Sequence, residues 1–340
     1  MSMKILYLRP EGGDMMSDGS AFVREVKQLG EYADITRHAD MSDRGAAELI
    51  RGYDVLLTMW GSPFVPLELA DNPGRLRYIL NVTGEMRRWV GVEFARCPNI
   101  AVTNWGDALA IDVAEGAMAL LLSVLKNIPL HIMNAKSGSE RAPDLTLQGT
   151  LYKTDVGVYG LGFIGRKFVE MLAPFGPVIR AYDPYLDAAE FPDYVTSCGS
   201  LEELFASSQI IAVHAGLSDE TRGSVGAKLL SLLPDGGIII NTARSGIIDY
   251  DALEKELVSG RLRAGLDLTP PYDVLPHVDS PLRTLNNVIL SAHCICYGEW
   301  LQSSDKLLRR EEIALENLRR FKDGEPLKFI MDERRYLLST

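Results

Sequence analysis

Residues 156–165 read Val-Gly-Val-Tyr-Gly-Leu-Gly-Phe-Ile-Gly, with Phe168, Met171 and Leu172 following at helical spacing. An apolar run that delivers Gly160, Gly162 and Gly165 and then turns amphipathic predicts a strand, a tight turn and a helix. The first glycine permits the turn, and the second lets backbone approach a pyrophosphate. The third allows close helix–strand packing, while the helix N-terminus offers unpaired N–H groups to phosphate, here those of Phe163 and Ile164. The next strand, Val178 to Tyr182, ends at Asp183, 18 residues past Gly165. A carboxylate at that point accepts hydrogen bonds from ribose hydroxyls and repels a 2′-phosphate. Pro184 and Tyr185 follow, where an arginine would be needed to favour the phosphorylated cofactor. The expected cofactor is therefore NAD (NADH). A plain glycine turn beside a surface aspartate is the competing reading.

The turn sits within two successive series of short apolar runs and helical patterns. The first has strands at Ile5–Leu8, Val55–Met59, Tyr78–Val82 and Ile100–Thr103, with helical spacing over Ala21–Leu29, Ala46–Arg51 and Glu68–Leu69. A long helix is expected from Asp112 to Leu125, with Pro129 ending its neighbourhood, and then a polar loop from Ser137 to Gly149. The second series has strands at Asp155–Tyr159, Val178–Tyr182, Ile210–Val213, Gly237–Asn241, Ala264–Leu268 and Val288–Leu290. Its helices fall at Phe168–Ala173, Leu201–Phe205, Ala227–Leu232 and Tyr250–Ser259, and a last helix runs from Leu307 to Lys322. Strands alternating with helices predict an α/β protein built on parallel sheets, and 340 residues suffice for two such domains.

A net charge of −11 argues against nucleic-acid and anionic-membrane partners. The longest apolar run, Ala117 to Leu125, is too short to cross a bilayer, and the N-terminus has no signal-peptide pattern. Cys97, Cys198, Cys294 and Cys296 fit neither a redox pair nor a zinc knuckle, so reduced thiols, no metal and a soluble cytoplasmic protein are expected.

Two strand ends carry chemistry. Ile238–Ile240 delivers Asn241-Thr242-Ala243-Arg244-Ser245-Gly246 at a carboxyl edge, where open α/β sheets bind ligands, and the Arg244 fork suits a carboxylate. Val288–Ala292 likewise delivers His293, one of five histidines. Taken singly, Arg244 could be an ion-pairing surface residue and His293 a hydrogen-bonded core residue.

Together these segments resemble a known family. Gly160 to Gly165 with Asp183, Asn241 to Asp249, Ala264-Gly265-Leu266-Asp267-Leu268, Asp279-Ser280-Pro281-Leu282 and Asn287 to His293 look like the D-isomer-specific 2-hydroxyacid dehydrogenases. The similarity is strong from about Asp107 to His293 and weaker before, where Trp60 to Pro63 and Val113 to Glu115 match best. The resemblance implies two Rossmann-like, doubly wound domains, the outer one discontinuous. Residues 1–105 and 300–340 would form a flavodoxin-like substrate-binding domain, and 106–299 the NAD-binding domain. It implies Arg244 as the group that binds substrate and His293 as general acid/base. Asp267 and the backbone near Thr242 would hold the nicotinamide carboxamide. Ala215, Thr221 and Ala243 complete the expected cofactor contacts. Thr83 and Gly84, in the turn Val82 to Arg87, would hold the substrate carboxylate, and Arg87 would offset Glu85 or take a second anionic group.

The chain departs from the family where a glutamate normally pairs with the histidine. Asp273 takes that place if one residue is inserted and Tyr272 if none is. Asp273 is preferred, because only a carboxylate stabilises imidazolium, although it is one methylene shorter. The expected activity is hydride transfer between NAD(H) and C2 of a small 2-hydroxy or 2-oxo acid, in a homodimer formed by the long helix from Asp112 and its neighbours. Two rivals remain. One is an NAD-sensing, corepressor-like protein with little turnover, and the other a formate or phosphonate dehydrogenase on the same scaffold.

Overall fold

The computed structural model describes residues 2–10, 19–138, 148–271, 273–295 and 306–338. Tyr272, Cys296 and most of the Ser137 to Gly149 loop therefore lie outside the described residues. The chain divides into two compact units, Met1–Ala108 with Glu299–Thr340, and Leu109–Gly298.

The first unit runs β1 (Lys4–Pro10), α1 (Ala21–Leu29), β2 (Glu31–Arg37), α2 (Asp43–Ile50), β3 (Val55–Thr58), α3 (Glu68–Asp71), β4 (Tyr78–Asn81), α4 (Val92–Arg96) and β5 (Ala101–Thr103). The second opens with α5 (Ala110–Leu125), α6 (Ile128–Lys136), β6 (Asp155–Tyr159), α7 (Phe163–Leu172), β7 (Val178–Tyr182) and β8 (Val195–Ser197). It continues through α8 (Leu201–Ala206), β9 (Ile210–Val213), α9 (Ala227–Leu230), β10 (Ile238–Asn241), α10 (Tyr250–Val258), β11 (Arg263–Leu266) and β12 (Val288–Leu290). Helices α11 (Arg309–Asp323) and α12 (Glu333–Leu338) return to the first unit.

Each unit is built on one parallel sheet. The order is β2-β1-β3-β4-β5 in the first and β12-β11-β10-β9-β6-β7-β8 in the second. Parallel strands are covered on both faces, so the central ones read as unbroken apolar runs. Val55–Thr58, Ile210–Val213 and Ile238–Asn241 are buried at every position. Alternation then splits them: Ile238 and Ile240 pack with Leu121, Phe168 and Leu172, while Ile239 packs on the opposite face with Leu253 and Leu257. Two α/β units with doubly wound parallel sheets are thus present, as the alternating pattern predicts.

Several boundaries differ from the sequence reading for physical reasons. Pro129 does not end a helix; it occupies the first turn of α6, where its missing N–H costs nothing. Strands β2 and β8 carry no apolar run because both are sheet edges, and none of the β2 residues is fully buried. Helix α7 begins at Phe163, five residues before the expected start at Phe168, and so springs directly from the glycine turn. Among the described residues, no single helix is long and apolar enough to cross a membrane.

Candidate active site

The topology of the second unit reverses between β6 and β9, and the carboxyl edge at such a switch point is where doubly wound sheets hold ligands. Gly160 has φ +92°, and a side chain there would lie 2.6 Å from the Ala215 amide nitrogen. The turn from β6 is therefore pressed against the loop leaving β9. At Gly165 a Cβ would fall 2.1 Å from the Gly160 carbonyl, so only glycine lets α7 sit this close. Gly162 differs: a Cβ there meets nothing within 4 Å, and as N-cap it gives α7 no side-chain hydrogen bond. An uncapped helix N-terminus beside open space suits a pyrophosphate.

Asp183 is pre-set by the same turn. Its Oδ2 accepts from the Leu161 amide at 2.8 Å and its Oδ1 from the Tyr185 amide at 3.0 Å. Thr242 is buried, and its hydroxyl has no hydrogen-bond partner among the described residues. Such orphaned groups are uncommon in folded proteins, and at a ligand-binding edge they fit a cofactor. The neighbouring Ala243 amide is fixed by Asn241 Oδ1 at 3.1 Å. The Thr221 hydroxyl donates to the Gly216 carbonyl at 2.7 Å and accepts from the Ser218 amide at 2.7 Å, so it braces the loop after β9 with its single O–H. His214, missed by the sequence reading, lies under the glycine turn with its ring 4.7 Å from that of Phe168. Burial pushes its pKa down to about 3, which keeps the ring neutral.

The chemistry-bearing loops leave the adjacent strands β10, β11 and β12. Asp267, two per cent exposed, joins them. Its amide donates to the Asn241 carbonyl at 3.0 Å, and its own carbonyl accepts from the His293 amide at 2.5 Å. Its Oδ1 accepts from the Ser291 hydroxyl at 2.7 Å and from the Cys294 and Ile295 amides at 3.1 and 3.3 Å. Ala292 and His293 are both left-handed, with φ +58° and +57°. Consecutive non-glycine residues in that region are strained, and such strain persists where surroundings over-determine it. Here Asp267 supplies the bonds that do so. Asp267, expected as a carboxamide contact, is the post on which the His293 loop is built.

Arg244 is half-buried, and its Nη1 donates to the Ala243 carbonyl at 2.7 Å. Asp273 is bonded elsewhere than to the histidine: its Oδ1 accepts from the Ser245 amide at 2.8 Å, and no hydrogen bond or ion pair joins it to His293 among the described residues. The short side chain, on a backbone with φ +55°, is spent on the loop that carries Arg244.

In the first unit, the turn after β4 is braced from within. Thr83 is fully buried; its carbonyl accepts from Asn81 Nδ2 at 2.5 Å and from the Trp105 amide at 3.4 Å. A Cβ on Gly84 would lie 2.3 Å from the Trp105 indole, and Asn104 Nδ2 donates to the Gly84 carbonyl at 3.1 Å. Neither the Thr83 nor the Gly84 amide donates to a described residue. The Arg87 guanidinium donates to the Tyr336 carbonyl at 3.1 Å and to the Leu337 carbonyl, and lies over the Tyr336 ring. It ties down the end of α12. Glu85 is offset by Arg88 at 2.9 Å, not by Arg87.

Residues 118–294, most of the second unit, match the family model described as D-isomer specific 2-hydroxyacid dehydrogenase, NAD binding domain. The chain belongs to this family. A glyoxylate reductase of Thermococcus gammatolerans is 30% identical over 96% of this chain and 94% of its own length. A D-3-phosphoglycerate dehydrogenase of Methanocaldococcus jannaschii is 32% identical over 85% of this chain but only 54% of its own, so the chain spans about half the length of that relative. Among solved structures, a glyoxylate reductase from Paecilomyes thermophila superposes with a TM-score of 0.77 over 98% of this chain and all of that one, at 22% identity. That likeness concerns the fold alone. The glycine turn, the uncapped α7, Asp183 and the orphaned Thr242 hydroxyl all suit NAD(H), the cofactor of the family's matched domain.

Proposed function

We propose that this 2-hydroxyacid dehydrogenase family member is an NAD-dependent oxidoreductase acting at C2 of a small 2-hydroxy or 2-oxo acid. Bound NADH supplies the hydride that C2 receives in the reducing direction. Arg244 binds the substrate's carboxylate and steadies charge growing on its carbonyl oxygen, as a planar fork does well. His293, as imidazolium, gives that oxygen its proton and is left neutral; in oxidation it takes the proton back. Asp267 fixes the loop that aims His293, and Asp273 fixes the loop that aims Arg244. The observation that carries the reading is the bonding of Asp267 to both neighbouring loops, from Asn241 on one side to His293 on the other. We keep for the Thr83 and Gly84 amides the role of holding a carboxylate, supported by their having no described acceptor.

A second reading, cofactor sensing with little turnover, is favoured by one fact: Asp273 bonds Ser245 and leaves His293 without a carboxylate partner among the described residues. A screen of NADH oxidation against 2-oxo acids graded in size and charge separates the two. Turnover of any member supports the dehydrogenase; NADH binding with no oxidation across the panel supports the sensor.

Homodimer formation is proposed through the neighbour of the long helix, α6. Helix α5 is largely buried in its own unit, whereas α6 has no buried residue and exposes Ile128, Ile132 and Met133. An apolar stripe of this kind favours a second copy as its cover. A cytoplasmic setting is in keeping with the free thiols of Cys97, Cys198 and Cys294.

A further inference from the structure

Two carboxylates, not one, stand at the adenosine end of the cofactor edge. Asp183 leaves β7 and is held by the Leu161 and Tyr185 amides. Tyr185 then reaches across to the loop after β9, where its hydroxyl donates to Glu220 Oε2 at 2.5 Å. One residue therefore bonds Asp183 through its backbone and Glu220 through its side chain. Tyr159, at the end of β6 and 6.1 Å from the Tyr182 ring, feels both charges: burial, Asp183 and Glu220 all push its pKa up. Glu220 is exposed, and a free exposed glutamate would sample many positions; the hydroxyl bond selects one beside Tyr185, close enough for Glu220 and Asp183 to act on the same tyrosine.

We propose that Glu220, held by Tyr185, is a second determinant of cofactor choice that acts with Asp183 to exclude the 2′-phosphate of NADP(H). The proposal rests on the reading of this edge as the NAD(H) site. A ribose hydroxyl loses nothing beside Glu220, because the carboxylate is spoken for by Tyr185 and is not needed as an acceptor. A 2′-phosphate brings two negative charges toward two fixed ones. Removing Asp183 alone therefore leaves a barrier, and selectivity relaxes in two steps.

The test is calorimetric titration of the full chain and of Glu220→Gln, Asp183→Ser and the double variant with NADH and with NADPH. Glu220→Gln should tighten NADPH about threefold to tenfold at low salt while moving NADH far less, and the gain should shrink toward 0.5 M salt. A merely structural role would shift both cofactors alike and show no such salt dependence. Tyr185→Phe, which frees Glu220, should give part of the same gain. The double variant should exceed Asp183→Ser by a further factor of about three or more. Tight NADH binding with NADPH affinity unchanged in Glu220→Gln overturns this inference alone. Failure of the unaltered chain to bind NADH overturns the cofactor reading and this inference with it.

Discussion

Both units end parallel strands in polar turns, yet the turns treat their polar groups in opposite ways. After β4 the side chains are consumed within the unit: the Thr83 hydroxyl accepts from Asn81, Glu85 pairs with Arg88, and Arg87 donates to the end of α12. After β10 and β12 the edge keeps groups in reserve, with the Thr242 hydroxyl orphaned and Ala292 and His293 held left-handed. A fold that stores strain and unsatisfied side-chain groups at one edge marks where a ligand is expected, whereas a turn with its side chains satisfied has only backbone amides left to offer.

The largest expected effect is at the post of the reserved edge. Asp267→Ala removes the acceptor of three hydrogen bonds in a buried setting. It should cost about 3 kcal/mol in chemical denaturation and slow turnover, because the His293 loop relaxes from its strained form. A stable variant with full activity would show that the loop holds itself.

The glycines sharpen the contrast. Gly84→Ala drives a methyl into the Trp105 indole and should cost about 1–3 kcal/mol. Gly162→Ala meets open space and should leave stability unchanged while weakening NADH about tenfold, since the methyl stands where phosphate approaches. Equal losses of stability in the two variants would erase the distinction between the turns.

Smallest is Arg87→Ala, expected to cost about 1 kcal/mol through the lost carbonyl bonds and to leave KM for the 2-oxo acid unchanged. A large rise in KM would return Arg87 to the substrate.

Legibility followed burial. The central strand Ile210–Val213 could be bounded from sequence because it is a short, fully buried apolar run between turn signals. The edge strand Glu31–Arg37 could not, since a half-exposed strand mixes polar residues into its pattern. Helix α6 escaped because it buries nothing and so has no apolar face set by its own unit. At the site, glycines announce themselves: their backbone freedom is a sequence property. Side-chain partners do not. Nothing in the residues around Asp273 says that its carboxylate turns to Ser245, because that depends on a left-handed backbone and one missing methylene. The threefold bonding of Asp267 and the Tyr185–Glu220 link join segments 24 to 35 residues apart and are equally invisible in one dimension.

The most direct measurement pairs calorimetry with single-turnover kinetics on the unaltered chain and His293→Ala, using the best 2-oxo acid from the screen. Turnover should fall by at least about a hundredfold while NADH affinity stays within a few-fold. Undiminished turnover, or loss of cofactor binding in that variant, would contradict His293 as general acid/base.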